Sequence, residues 1–225
     1  MSARKVAAAG AALRLLAPAV MLTLAVAVAV AVAVAPVAGF AQAGAGDAAA
    51  PIAALNQGLE NAEKNSAQPF QARYDALGPI VDRAFDLPQV LKTIVGLRWS
   101  QIPANQQQTL LVTFRAFTIC NYVANFNGDS GDHFRILPET RNVGADKVVE
   151  TEIVPKSGDP TRIDYVMRSG ASGWKAVDVL QQGTISQAAV QRSDFRSLLA
   201  SGNADALIAS LQKKVETLSG GSIKP

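Results

Sequence analysis

The chain has one cysteine, Cys120, and one histidine, His133, and each scarcity removes a class of chemistry. A single thiol forms no internal disulfide, so the chain must hold together by packing. Zinc sites built from several histidines and cysteines are excluded by count. A Ser-His-Asp or Cys-His arrangement would have to use His133. Glycine-rich phosphate loops are missing as well, since neither G-x-x-x-x-G-K-[ST] nor G-x-G-x-x-G occurs. Nor do G-x-S-x-G, H-E-x-x-H or C-x-x-C occur, so signals for nucleotide, zinc and thiol chemistry are all negative. An excess of one charge is lacking too. The chain carries 21 basic and 18 acidic residues, but Arg4, Lys5 and Arg14 all lie in the first 43 residues, which hold no acid. From residue 44 the balance is 18 against 18, and no electrostatic footprint for nucleic acid remains.

What is present begins with a leader. After Arg4, Lys5 and Arg14, residues 15–35 form an uncharged run of 21 residues, almost all Ala, Val and Leu, which Pro36 and Gly39 end. Small residues follow in "AGFAQAGAG". This is the layout of a secretory signal peptide, with cleavage expected after Ala41 or Ala43. A run of this length also suffices to span a bilayer, so a retained anchor is the alternative. The reading is therefore a signal peptide over 1–43, a flexible tether over 44–50 and a single exported domain over 51–220. About 180 residues form one core.

The domain starts helical. Pro51 suits a first turn, and Ile52, Leu55, Leu59 and Ala62 follow at helical spacing. Phe70, Tyr74, Leu77 and Val81 form a second stripe, interrupted by Gly78-Pro79. In "FDLPQVLKTIVGLRW", Asp86 is an N-cap with Gln89 at capping-box spacing, and Gly96 closes the helix. The longest helix is expected from Pro103 to Phe126. Leu110, Phe114, Phe117, Cys120 and Ala124 make one stripe on it, and Val112, Ala116, Ile119 and Val123 another. Apolar residues on so much of the circumference mean a helix covered almost all round, or one facing core on one side and a ligand cavity on the other.

From His133 the period changes to two. "HFRILPETRNV", "DKVVETEIVP", "TRIDYVMRSG" and "GWKAVDVLQ" are four strands joined by short turns, which favours an antiparallel meander. Two helices end the chain, with Ser193 and Asn203 as N-caps and Gly202 and Gly220 as terminators. Helices, then strands, then helices make an α+β fold. A sheet with one apolar face curls around helices and leaves space for a cavity. Ile163, Tyr165 and Met167 mark that face on one strand, with Val177 and Val179 as the matching set on the next. Tyr165 and Met167 also suit ordinary core.

Several segments together resemble the MlaC family of periplasmic lipid-binding proteins, also described as toluene-tolerance or transporter auxiliary proteins. They are "RAFDLPQVLKTIVGLRW", "QQQTLLVTFRAFTICNYVANF", "RIDYVMR", "GWKAVDVLQQGTIS" and "QRSDFRSLLASGNADALIASLQKK", in order across roughly residues 70–215. "FRILPETRNVGADKVVETEIV" and "AVQRSDFRSLL" are most similar to the hopanoid-associated branch, HpnM. The resemblance implies a helical and antiparallel-sheet fold that holds acyl chains between sheet and helices. It also implies a carrier moving lipid between inner and outer membranes, served by an inner-membrane transporter and an outer-membrane complex. The family's Gly-[VI]-Ser segment and Tyr-Arg pair are altered here: Thr184 precedes Ile185-Ser186, and Val190-Gln191-Arg192 stands in place of the pair.

A lipid chain of ~15 methylenes costs on the order of 12 kcal/mol to hold in water, so crossing an aqueous periplasm requires a carrier. The expected lipid-binding residues are Phe85, Ile94, Phe114, Phe117, Tyr165, Met167, Val177 and Val179. The expected ligand is a hopanoid or a phospholipid, with transient membrane contact, no nucleic acid and no cofactor. An Asp178–Arg192 ion pair is expected at the pocket rim. The alternatives are an isomerase or hydrolase, using Asp178 or Asp164 with His133 or Tyr165, and a pocketless adaptor.

Overall fold

The structure, a computed structural model, describes residues 47–128 and 131–225. The expected leader lies outside the described residues. The end of the expected tether does not behave as one: Ala48 is buried, Asp47 accepts a hydrogen bond from the Ala49 amide, and the first helix starts at Ala50. No described helix is long and apolar enough to cross a membrane.

Four helices come first: α1 (Ala50–Lys64), α2 (Phe70–Ala84), α3 (Leu87–Val95) and α4 (Ala104–Asn125). Five strands follow: β1 (His133–Val143), β2 (Asp146–Val154), β3 (Thr161–Gly170), β4 (Gly173–Gln181) and β5 (Ile185–Ser186). Then come α5 (Gln187–Phe195) and α6 (Asp205–Ser219). The fold is α+β, as the order of patterns predicts, with a two-residue fifth strand added to the four expected.

Local chemistry explains most boundaries. Asp86 caps α3 by accepting from the Gln89 amide at 3.0 Å, but the Gln89 side chain turns to Thr93 and does not complete the box. Gly96 ends α3 at a φ of 66°, where glycine alone avoids a Cβ penalty, and a 3₁₀ turn over Gly96–Gln101 follows. Gly220 ends α6 in the left-handed conformation. Helix α2 runs through Gly78-Pro79, against the expected interruption. Asp82 of α2 holds Arg115 of α4 through paired bonds of 2.8 and 2.7 Å, a tertiary tie that helps keep the helix in place across its proline.

Helix α5 corrects another expectation. It starts at Gln187 with Ser186 as its cap, whose hydroxyl accepts from the Ala189 amide, so Ser193 lies inside the helix. The strand's polar bend leads straight into the helix, and no loop intervenes. The expected cap at Asn203 is displaced by one residue: Ala204 holds the cap position of α6, and the Asn203 side chain, just before it, accepts from the Asp205 amide at 2.7 Å.

Helix α4 is the pillar of the core. Leu110, Phe114, Ile119 and Val123 face the main core, while Ala116 and Cys120 pack with Val215 of α6 and Ile223. Burial pushes the Cys120 thiol up to about 11, so it behaves as a small hydrophobe. Val112 is half exposed, so the second stripe does not continue to the helix start.

The sheet is a curved, open meander in the order β1-β2-β3-β4-β5, antiparallel throughout. Two irregularities bend it. Pro138 sits in edge strand β1 where the register slips between Ile136 and Thr140. In β4, Asp178 opposes Val166 and Ala176 opposes Met167, which leaves Val177 as an extra residue. The segment after α2 docks beside this bulge: Phe85 bridges Ala176, and the Asp86 amide donates to the Ala176 carbonyl at 3.0 Å. This contact covers part of an otherwise open strand edge.

Candidate functional site

The sheet's pleat separates two chemistries. Residues opposite one another across the ladder share a face. One face carries Phe134, Ile136, Val149, Ile163, Tyr165, Met167, Ala176 and Val179, and it packs against the helices. The other carries Arg135, Arg141, Glu150, Glu152, Arg162, Asp164 and Arg168, joined in ion pairs.

A cavity of about 270 Å³ opens between the helix-covered face, α4 and α5. Helix α4 contributes Phe114, Phe117, Thr118, Asn121, Tyr122 and Asn125. Their spacing of three and four residues makes a single stripe, apolar at one end and amide-bearing at the other. Phe134, Ile153, Ile163, Tyr165 and Val179 form the sheet wall, and Phe85, Leu87 and Val90 close the side towards α3. Along one flank Phe85, Tyr122, Phe126 and Phe134 follow one another with ring centroids 5.4–6.3 Å apart. Phe85 also meets Tyr165 edge-on at 6.2 Å.

The rim is polar but almost uncharged. Asn121, Asn125, Gln181, Gln187 and Gln191 surround it, and Asp178 is the one ionisable acid or base of ordinary neutral-pH charge among the lining residues. Its carboxylate is occupied. One oxygen accepts from the Val179 amide at 2.8 Å and the Ala188 amide at 3.0 Å, and the other accepts from the Ser186 hydroxyl at 2.5 Å. An anion at a helix N-terminus is favourably placed, so Asp178 fastens α5 to β4. Deeper in, burial raises the pKa of both Tyr122 and Tyr165 well above the usual phenol range, so both stay neutral.

Of the expected pocket residues, Phe85, Phe114, Phe117, Tyr165 and Val179 line the cavity, and Ile94, Met167 and Val177 do not. Ile94 and Met167 are fully packed core side chains. The bulge moves Val177 out of phase with Val179, which a simple alternation cannot foresee. The expected Asp178–Arg192 ion pair is absent. Arg192 instead donates from Nε to the Thr93 carbonyl at 3.1 Å, with a second bond from its terminal nitrogen, near the negative end of α3. Both residues fasten α5, but to different neighbours.

The sequence reading missed the α4 amides, Tyr122, and the Phe126–Phe134 pair. A signal existed for the first: Asn121 and Asn125 fall on the helical stripe that Phe114 and Phe117 begin. The residues proposed for catalysis are not gathered. Tyr165 and Asp178 line the cavity, whereas Asp164 is buried on the opposite face between Arg141 and Arg162, and His133 is an exposed residue at the start of β1. No cluster of three or more His, Cys, Asp or Glu suited to a metal occurs among the described residues.

Comparison with known proteins agrees with this architecture. Among solved structures, a phospholipid-binding protein from Ralstonia solanacearum, determined in complex with a phospholipid, has the same fold, with a TM-score of 0.66 at 20% sequence identity. The match covers 77% of this chain and 99% of that one. A search of curated protein sequences gave no match. The sequence profile described as MlaC protein matches residues 52–213, most of the chain, and the chain therefore belongs to the MlaC family.

Proposed function

We propose that this protein is a lipid carrier of the cell envelope and not an enzyme, acting in the periplasm after export. The observation that carries the reading is the cavity, with aromatic and aliphatic walls, neutral phenols and hydrogen-bonding groups gathered at its rim. Such a space takes the apolar body of a lipid and leaves the head group among the amides. Its volume lies near the lower end of the usual range for ligand pockets, roughly 300–1,000 Å³, which suits a slender apolar chain or ring system. Family membership and the phospholipid held by the Ralstonia solanacearum protein support a lipid as cargo. We place Phe85, Phe114, Phe117, Tyr165 and Val179 in contact with it.

The cargo is a hopanoid or a phospholipid, and the likeness to the HpnM branch favours the former. The carrier would receive and deliver it at an inner-membrane transporter and an outer-membrane complex. Mass spectrometry of organic extracts of the purified protein tests the core of this reading. Co-purifying lipid in near-stoichiometric amount is the expected result. A protein that emerges empty and also fails to take up lipid from vesicles would overturn it.

A further inference from the structure

On the far side of α5 from the cavity lies a second depression, between α3, the Gly96–Gln101 turn and α5. Lys92, Arg98, Arg192 and Arg196 all line it, together with Leu97 and Leu199. From residue 44 onward the chain carries 18 basic and 18 acidic residues in all, so four cations around one groove are a local concentration. Among the described residues, none of the four has a carboxylate within 4.0 Å. Arg192 is tied to the Thr93 carbonyl, and Arg98 to the carbonyls of Arg196 and Leu199. These neutral acceptors position the guanidinium groups without cancelling their charge.

Leu97, which lines the same groove, is 94% exposed, more than any other large apolar side chain described. It follows Gly96, whose positive φ turns the chain sharply out of α3. An isolated exposed leucine needs no explanation. A leucine just after a tight turn, in a groove shared with four cations that have no carboxylate partner, is different. The apolar tip suits insertion between lipid chains, and the cations suit the phosphate-bearing layer above them.

We propose that this groove docks the protein on the surface of an anionic membrane, with Leu97 inserted and Lys92, Arg98, Arg192 and Arg196 on the lipid phosphates. The position of α5 makes the arrangement useful. Ala189, Arg192 and Ser193 of α5, with Arg196 just past its end, line the groove, while Gln187, Ala188 and Gln191 of the same helix line the cavity rim. Docking through the groove therefore brings the cavity mouth beside the bilayer, one helix width away. A protein partner with an acidic, apolar surface offers similar chemistry, but the single fully exposed leucine at a protruding turn fits a fluid surface better than a shaped pocket.

Vesicle flotation tests the proposal without reference to the cargo. The purified protein is mixed with vesicles of zwitterionic phospholipid alone, or with about a third anionic phospholipid. The expected result is binding to the anionic vesicles only, weakening as salt rises. Leu97→Ser and the double change Lys92→Gln with Arg196→Gln should each reduce binding at least tenfold. Among the described residues, the side chains of Leu97, Lys92 and Arg196 hold no other part of the fold by a hydrogen bond or ion pair, so melting temperature and bound lipid should be unchanged. Equal binding to both vesicle types, or binding that survives these substitutions, would overturn the proposal. So would the absence of vesicle binding, and the acidic protein partner would then take its place. If lipid extraction fails while anionic vesicles still bind, the carrier reading falls and the docking surface stands.

Discussion

The two faces of the sheet are built from the same strands by the same alternation, and they solve opposite problems. The outer face joins Arg141 and Arg162 to both Glu150 and Asp164, with Arg135–Glu152 and Arg168–Asp146 on either side. Asp164 is fully buried within this network. Hydrogen bonds donated to the carboxylates of Asp164 and Asp146 raise the pKa of Arg162 and Arg168, so their charges are secure. The inner face has aromatic and aliphatic groups instead, and burial keeps the phenol of its Tyr165, and that of Tyr122 on α4, neutral. One face fixes the register by charge pairing, and that leaves the other free to be lined for a ligand. Shifting β3 by one residue would turn Arg162 and Asp164 towards the cavity and Tyr165 towards water. Both faces oppose that slip.

One of the two largest effects should come from breaking the outer network at its buried member. Asp164→Ala leaves two guanidiniums around an empty site. Their partial exposure limits the cost to about 3 kcal/mol, read as a lower urea midpoint, with the amount of bound lipid unchanged. On the inner face, Met167→Ala should cost about 2–5 kcal/mol because that side chain is core and not cavity wall. Val179→Trp should do the reverse. It fills the cavity, lowers co-purifying lipid severalfold, and costs less than about 1.5 kcal/mol of stability. Equal stability losses for Met167→Ala and Val179→Trp, with lipid retained in both, would erase the distinction between wall and core.

The join between the faces should show a smaller effect. Asp178→Ala removes the acceptor that fastens α5 to β4 and should cost about 1–3 kcal/mol. In a double-mutant cycle with Ser186→Ala the two losses should not add. With Arg192→Gln they should add within about 0.5 kcal/mol, since the residues hold separate partners.

Alkaline pH should give the smallest effect. Raised phenol pKa values mean that the unfolded chain loses protons first, so stability should fall as pH rises above about 10. Tyr165→Phe should lessen that slope by at most one proton, measured by urea unfolding at successive pH values.

Much of this protein was legible in the sequence where the decisive interactions are local. The change of period at His133, the Asp86 cap, the Gly96 and Gly220 terminators and the four main strands all follow from neighbours within a few positions. The absence of catalytic motifs was equally plain. The cavity was partly legible: Phe114, Phe117 and Tyr165 advertise an apolar stripe, whereas Asn121 and Asn125 are exposed, and only the tertiary structure shows that they line the same cavity as Gln187, Ala188 and Gln191 of α5.

What only the tertiary structure decided depends on register and on distant partners. One extra residue in β4 separates Val177 from Val179, and no propensity marks the position of a bulge. The sequence reading paired Arg192 with Asp178, and the packing of α5 against α3 gave it the Thr93 carbonyl instead. Likewise Asp178 was fixed as a fastener by the amide and hydroxyl groups that the β5–α5 turn presents to it. A side chain's type limits the bonds it can make, and which one it makes is set by what the rest of the chain brings within about 3 Å of it.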